Sequence, residues 1–359
     1  MATGQEQSDR VRARELGLAP GVFPPGSLNA ITDVAGVRVG HTTLIRGDEI
    51  RTGVTAVVPT DGNLFQDKVP GAVFVGNAFG KLAGSTQVEE LGTIETPIIL
   101  TNTLSVAAGL EGAIAYTLSQ PGNEKVVSVN ALVGETNDSR LNDIRGMHVR
   151  KDDVISAIRN AKSGPVPEGS VGAGTGTVCF GWKGGIGTSS RRSTADHGDY
   201  TVGVLVQANF GGNLTMGGVP VGKLLRKNAE GSGHGSCMII AATDAPLSAR
   251  DLKRLASRAV FGLARTGSSY SNGSGDFAVA FSTAESVRVK GGTAPATYTI
   301  LPSEQASPLF EMVLEATEEA VYNSLLQATT LESKFGRVEA IPINEVKTIL
   351  GRFGNRAKH

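Results

Sequence analysis

Residues 230–244 run Glu-Gly-Ser-Gly-His-Gly-Ser-Cys-Met-Ile-Ile-Ala-Ala-Thr-Asp, and Ser236 is the residue in this stretch best placed to do chemistry. Its hydroxyl follows a peptide bond contributed by Gly235 and precedes the continuously apolar run 237–242. Glycines at 231, 233 and 235 let the chain ahead of it reach strained backbone conformations, while the apolar run suits a strand buried on both faces. A hydroxyl at such a junction is positioned to attack the carbonyl just before it, and Gly235 has no side chain to hinder the approach. The competing reading is ordinary turn chemistry, a glycine-rich loop entering a core strand with Ser236 as a turn residue. On local sequence alone the turn is the simpler of the two.

Other chemistries find less support. The five histidines, His41, His148, His197, His234 and His359, show no His-Glu-x-x-His spacing, and no Gly-x-Ser-x-Gly elbow precedes a helix. Each histidine reads as a loop residue, with His234, two positions before Ser236, kept open as a partner. Cys179 and Cys237 are too few and too far apart for a disulfide framework or a zinc site, so both read as small buried apolar residues. The run Gly172-Ala-Gly-Thr-Gly176 has the look of a dinucleotide loop, but alternating, β-like residues follow it where a helix should begin. No metal and no cofactor are expected.

Composition narrows the setting. Thirty-four basic residues balance 34 acidic ones without a long single-sign run, which argues against nucleic acid or an acidic membrane surface as partner and is compatible with self-association. The 47 glycines exceed the usual share of about 7% and have no collagen-like period, so they point to many tight turns between strands. Residues 1–14 are polar and charged, unlike a secretory signal, and no stretch approaches the roughly 18 uninterrupted apolar residues of a membrane span. A cytoplasmic protein is the expectation.

The elements that would position Ser236 can be read from periodicity. Strands are expected at 55–59, 72–75, 96–100, 126–133, 201–208, 237–242 and 277–281, with a strand pair at 28–39. Helices are expected at 82–91, 102–118, 152–161, 308–328 and 344–350. Another opens at Ser248 with Asp251 in the capping-box position and Leu252, Leu255, Ala256, Ala259, Val260 and Leu263 on one stripe. Strands bunched between helical layers suggest stacked sheets with helices outside, with no linker that marks a domain boundary.

Several blocks together carry a resemblance. Residues 235–247, Ile31-Thr-Asp-Val-Ala-Gly-Val-Arg-Val-Gly-His41, Gly134-Glu-Thr-Asn-Asp138 with Leu141-Asn-Asp143, Val204-Leu-Val-Gln-Ala-Asn209 and Ser271-Asn-Gly-Ser-Gly-Asp276 span most of the chain. In content and order they resemble the L-aminopeptidase/D-esterase and β-peptidyl aminopeptidase family of self-processing N-terminal serine hydrolases. The resemblance implies an α/β fold, a four-layer αββα sandwich of two stacked β-sheets flanked by helices. It also implies a single hydrolase domain, 1–359, that cuts itself between Gly235 and Ser236 into an α chain, 1–235, and a β chain, 236–359. The freed α-amino group, with a reference pKa of about 7.7 to 8.0, would then serve as the base for Ser236 Oγ.

Other roles follow from the same resemblance. Ser274 and Asp276 match a Ser-x-acid pair that orients the nucleophile and its amine, some members having Glu where this chain has Asp276. Asn209 matches the asparagine that donates to the oxyanion, and Glu135 the carboxylate that holds the substrate's free ammonium. Asn137 stands where relatives carry Tyr; it keeps a donor with shorter reach. Cys237 replaces the more usual aliphatic residue and raises the rival idea that the thiol attacks, but alternation along a strand would point it the other way. The expected substrates are small peptides, amides or esters with a free amino group, L-α, D or β-amino, and the expected assembly is a homo-oligomer, a tetramer of αβ units. Two other readings stand beside this one. An ornithine-acetyltransferase-like acyltransferase would have Thr at 236, and a non-catalytic binding protein of the same sandwich fold would never split.

Overall fold

The strand Gly235–Thr243 alternates between two cores. Cys237, Ile239 and Ala241 pack with residues of the long C-terminal helices, while Met238, Ile240 and Ala242 pack with residues of a second sheet. A strand buried on both faces must be apolar at every position, which explains the unbroken run 237–242. The protein was studied as a computed structural model that describes residues 10–225, 235–291 and 295–354.

The larger sheet has seven strands. Its main path runs Gly185–Arg192, Thr201–Asn209, Gly235–Thr243, Ser274–Ser282, Asp67–Ala78 and Val289–Lys290, with Thr93–Ile94 paired to Asp67–Ala78 off that path. Gly235–Thr243 and Ser274–Ser282 form its parallel pair and the neighbouring pairs are antiparallel. Gly235–Thr243 and Ser274–Ser282 are thus bracketed by two strands from earlier in the chain, Thr201–Asn209 and Asp67–Ala78. The smaller sheet has five strands in the order Arg38–Arg46, Ile50–Val58, Ile98–Asn102, Leu132–Thr136 and Leu82–Ala83.

Helices close both outer faces. Ala249–Arg265 and Ser307–Leu326 cover the large sheet, and Val106–Leu118 and Lys151–Arg159 cover the small one, giving the four-layer αββα sandwich. Ala249–Arg265 starts where Ser248 Oγ accepts the Asp251 N–H at 3.2 Å, as its capping residues predict. Ser307–Leu326 lies so close to the sheet that a side chain at Gly187 would come within 1.9 Å of the Ala320 carbonyl. The same helix carries Glu315 and Glu319 into the interior, where Arg191, fully buried, pairs with them at 3.0 and 2.8 Å. The N-terminal segment joins this network through Arg14, 3.0 Å from Glu319, and through the Val22 N–H, which donates to Glu315 at 2.8 Å. Among the described residues, no helix is long and apolar enough to cross a membrane.

Two sequence expectations fail. Residues 28–39 form a short 3-10 turn, Ile31–Asp33, and only the beginning of a strand, Arg38–Arg46. Asp33 caps this turn by accepting the Ala30 and Leu28 N–H groups, so local side-chain bonding replaces strand pairing. The run 126–133 becomes a strand only at Leu132–Thr136, and Val127 is almost fully exposed.

Candidate active site

Backbone register brings the catalytic candidates of the large sheet together. Ser236 lies directly opposite Asn209 across the antiparallel pair and beside Gly275 in the parallel pair. Both Ser236 and Asn209 share the face of Met238 and Leu205, which looks toward the small sheet. The Gly275 N–H donates to Ser236 Oγ at 3.3 Å, within reach of any charge that develops on that oxygen. Asn209 Oδ1 accepts the Val178 N–H at 2.9 Å, so the donor end of its amide, Nδ2, is not the end spent on the scaffold.

Val178 belongs to a short hairpin, Val178–Cys179 with Trp182–Lys183. Lys183 anchors this hairpin from within, donating to the Gly174 and Gly184 carbonyls at 2.9 and 2.8 Å, and burial pulls its pKa down to about 7.

Gly235 is a glycine for a steric reason. A side chain there would lie 2.4 Å from both the Asn209 carbonyl oxygen and Phe210 Cα, so nothing larger fits on the acyl side of the Gly235–Ser236 bond. Residues 226–234, including His234, lie outside the described residues.

Ser274 and Asp276 sit one strand over. Ser274 Oγ donates to Asp276 Oδ2 at 2.7 Å, while Asp276 Oδ1 is buried without a hydrogen-bond partner. Ser274 is paired with Gly235 and Asp276 with Cys237, on the face turned toward the helices. The pair therefore lies behind the main chain of Ser236, on the other face from its hydroxyl. Burial raises the Asp276 carboxyl to about 6, held from rising further by the Ser274 hydroxyl and the Cys237 backbone. Cys237 points into the same helix-side core, as strand alternation predicts. Burial there, with Asp276 adding to it, lifts its thiol well above the ordinary range, which suits a packing residue and not a nucleophile.

The small sheet supplies the opposite wall. Glu135, 2% exposed, stands in the strand Leu132–Thr136, next to Gly134, where a side chain would meet Met238 of the Ser236 strand at 2.8 Å. The segment 78–81 bridges the two walls, the Phe79 N–H donating to the Ser274 carbonyl at 3.1 Å and the Lys81 N–H to Glu135 Oε1 at 2.9 Å. A methyl at Gly80 would lie 3.1 Å from Glu135 Oε1 and 3.6 Å from the Phe277 ring, and one at Gly275 would lie 3.1 Å from that ring. Ser236 and Glu135 are thus linked through Gly275, Phe277 and Gly80. Thr103 donates its hydroxyl to Glu135 Oε2, and Lys81 Nζ lies 3.3 Å from Oε1.

Asn137 is exposed at the rim, with its Oδ1 accepting the Ser139 N–H at 3.0 Å in a local turn. Of the described histidines, His41 Nδ1 is 2.9 Å from Thr55 Oγ1, His148 Nε2 is 2.9 Å from Asp143, and His197 stands in the exposed turn Ala195–His197. Burial lowers His41 to a pKa of about 4. No group of His, Cys, Asp or Glu among the described residues could hold a metal.

Sequence reasoning missed Thr103, Lys81, Val178 and the Gly275 N–H. The last two act through main-chain atoms, which no residue type announces. Lys81 and Thr103 are distant in sequence from Glu135 and meet it only through the pairing of the small sheet.

Comparison with known proteins agrees with this architecture. The model of peptidase family S58 matches residues 29–339. The chain is 40% identical over 383 residues to beta-peptidyl aminopeptidase BapA of Sphingosinicella microcystinivorans, covering 98% of this chain and 95% of that protein. The crystal structure of the PH0078 protein from Pyrococcus horikoshii OT3 superposes with a TM-score of 0.90 at 48% identity, covering 96% of this chain and 99% of that one. The L-aminopeptidase D-Ala-esterase/amidase from Ochrobactrum anthropi is described as a prototype for the serine aminopeptidases and a variant of the Ntn (N-terminal nucleophile) hydrolase fold. It superposes with a TM-score of 0.89 at 34% identity, covering 96% of this chain and 99% of that one. The chain belongs to peptidase family S58 and is a serine aminopeptidase of the Ntn hydrolase fold.

Proposed function

We propose that Ser236 is the nucleophile of this aminopeptidase and that self-cleavage of the Gly235–Ser236 bond generates it, giving chains 1–235 and 236–359. In the uncut chain Ser236 Oγ attacks the Gly235 carbonyl carbon, the acyl group moves from nitrogen to oxygen, and water hydrolyses the ester. What remains is a serine with a free α-amine. With a reference pKa of about 7.7 to 8.0, that amine is partly neutral at working pH and accepts the Oγ proton when a substrate carbonyl is attacked.

The observation that carries this reading is the strand register that sets Asn209 directly opposite Ser236, on the face turned toward the small sheet whose strand Leu132–Thr136 carries Glu135. Asn209 Nδ2 then donates to the oxyanion, and Ser274 and Asp276 orient the new amine from behind. Glu135 receives the substrate's ammonium, and Asn137 adds a contact at the rim. The substrates are small peptides, amides or esters with a free amino group, L-α, D or β-amino, in keeping with the activities named for the relatives. We place the enzyme in the cytoplasm as a homo-oligomer, a tetramer of αβ units. Serine, not threonine, at 236 favours hydrolysis over acyl transfer of the ornithine-acetyltransferase type.

Intact mass under denaturing conditions tests the reading, with N-terminal sequencing of the smaller fragment. Two chains are expected, the smaller beginning Ser236-Cys237-Met238, and Ser236→Ala should give one folded, inactive chain. Cleavage that persists in Ser236→Ala would remove Ser236 from the mechanism.

A further inference from the structure

We infer that Lys81 is a specificity-determining residue: its ε-ammonium occupies the ammonium position on Glu135 until the substrate's own amino group displaces it. The inference rests on the reading of Glu135 as the carboxylate that receives the substrate's amine.

Glu135 is buried, and both of its oxygens are already satisfied by the protein. Oε2 takes the Thr103 hydroxyl, while Oε1 takes the Lys81 backbone N–H at 2.9 Å and lies 3.3 Å from Lys81 Nζ. An incoming ammonium must therefore take the place of a bond that exists. The Lys81 N–H is fixed in the segment that ties Glu135 to the Ser274 strand. The Lys81 side chain, by contrast, is 51% exposed and sits on a flexible four-carbon stem, so it can swing into water without disturbing the backbone.

The exchange replaces one primary ammonium by another on the same oxygen, so a substrate with a free amine loses little by making it. A substrate whose amine is acylated offers no cation in return and leaves Lys81 where it is. Lys81 thus sets a threshold that an amino terminus passes and a blocked terminus does not. The neighbouring side chains at the rim, Phe79 at 66% exposed and Leu104 at 44%, are apolar and offer the lysine no alternative ionic partner.

The test is steady-state kinetics of Lys81→Met, Lys81→Arg and Glu135→Gln on β-alanyl-p-nitroanilide, with ethylamine as a competitive probe. Exposed ion pairs are weak, so removal of the lysine should lower KM by only about fivefold, the gain appearing in KM and not in kcat. The ethylamine Ki should fall by the same factor, and Lys81→Arg, which keeps the cation, should behave as wild type. An unchanged or raised KM in Lys81→Met would overturn the inference, a raised KM meaning that Lys81 touches the substrate. If Glu135→Gln raises KM while Lys81→Met leaves it alone, the inference fails and the reading of Glu135 stands. If Glu135→Gln leaves KM unchanged, both fail.

Discussion

On the large sheet, Ser236, Asn209 and Gly275 are held by main-chain pairing across three adjacent strands. On the small sheet, Glu135 is held by a threonine hydroxyl and by a lysine from a bridging segment. The first wall can change only if the sheet changes. The second can be altered by turning one exposed side chain. This division fits the two tasks proposed for these walls, because bond-making needs groups fixed to fractions of an ångström, whereas recognising an amine needs a charge in the right place.

Breaking the rigid wall should cost most. Asn209→Ala is expected to lower kcat by about 10² to 10³ with little change in KM, as for loss of one oxyanion donor. A loss confined to a rise in KM would mean that Asn209 binds substrate and does not serve the transition state. On the softer wall, Glu135→Gln is expected to reduce kcat/KM for free-amine substrates by about 10- to 100-fold, the worth of a hydrogen bond to a charged group. Self-cleavage needs no substrate amine and should proceed normally in that variant. Equal loss of cleavage would make Glu135 a structural support.

A third effect concerns Asp276, behind the main chain of Ser236. Burial raises its carboxyl from 3.8 to about 6, so the folded chain holds this proton more tightly than the unfolded chain. The resulting stability is fully present below about pH 4 and is lost as pH rises through about 6, amounting to about 3 kcal/mol at most. In a Ser236→Ala background, where both proteins should be single chains, Asp276→Asn should abolish this share of the pH dependence between pH 4 and 7. Denaturant midpoints that fall equally with pH in both proteins would show that Asp276 is not the group responsible.

Much of this was legible from residue types. The apolar run 237–242 announced a doubly buried strand, and Ser248 with Asp251 announced the helix start. Alternation correctly turned Cys237 away from the face of Ser236. The blocks around Glu135, Asn209 and Ser274 pointed to the family to which the chain belongs. Illegible were the features set by pairing between distant segments or by backbone atoms. Nothing at Lys81 points to Glu135, and nothing at Val178 tells that its N–H orients Asn209. Residues 28–39 look like strand because they are β-branched and apolar, yet Asp33 satisfies the local N–H groups first.

The bracketing of late strands by early ones has a consequence for the life history of the molecule. A cut at Gly235–Ser236 would leave two polypeptides, with Gly235–Thr243 and Ser274–Ser282 still sandwiched between Thr201–Asn209 and Asp67–Ala78. Neither fragment holds the seven-stranded sheet alone, and Arg191 from one stays locked to Glu315 and Glu319 from the other. The precursor therefore folds as a first-order event, but after maturation the reverse journey would be second order. An enzyme unfolded once would have to find its other half by diffusion, at a rate set by dilution, so cleavage turns a reversible folding equilibrium into one that depends on concentration.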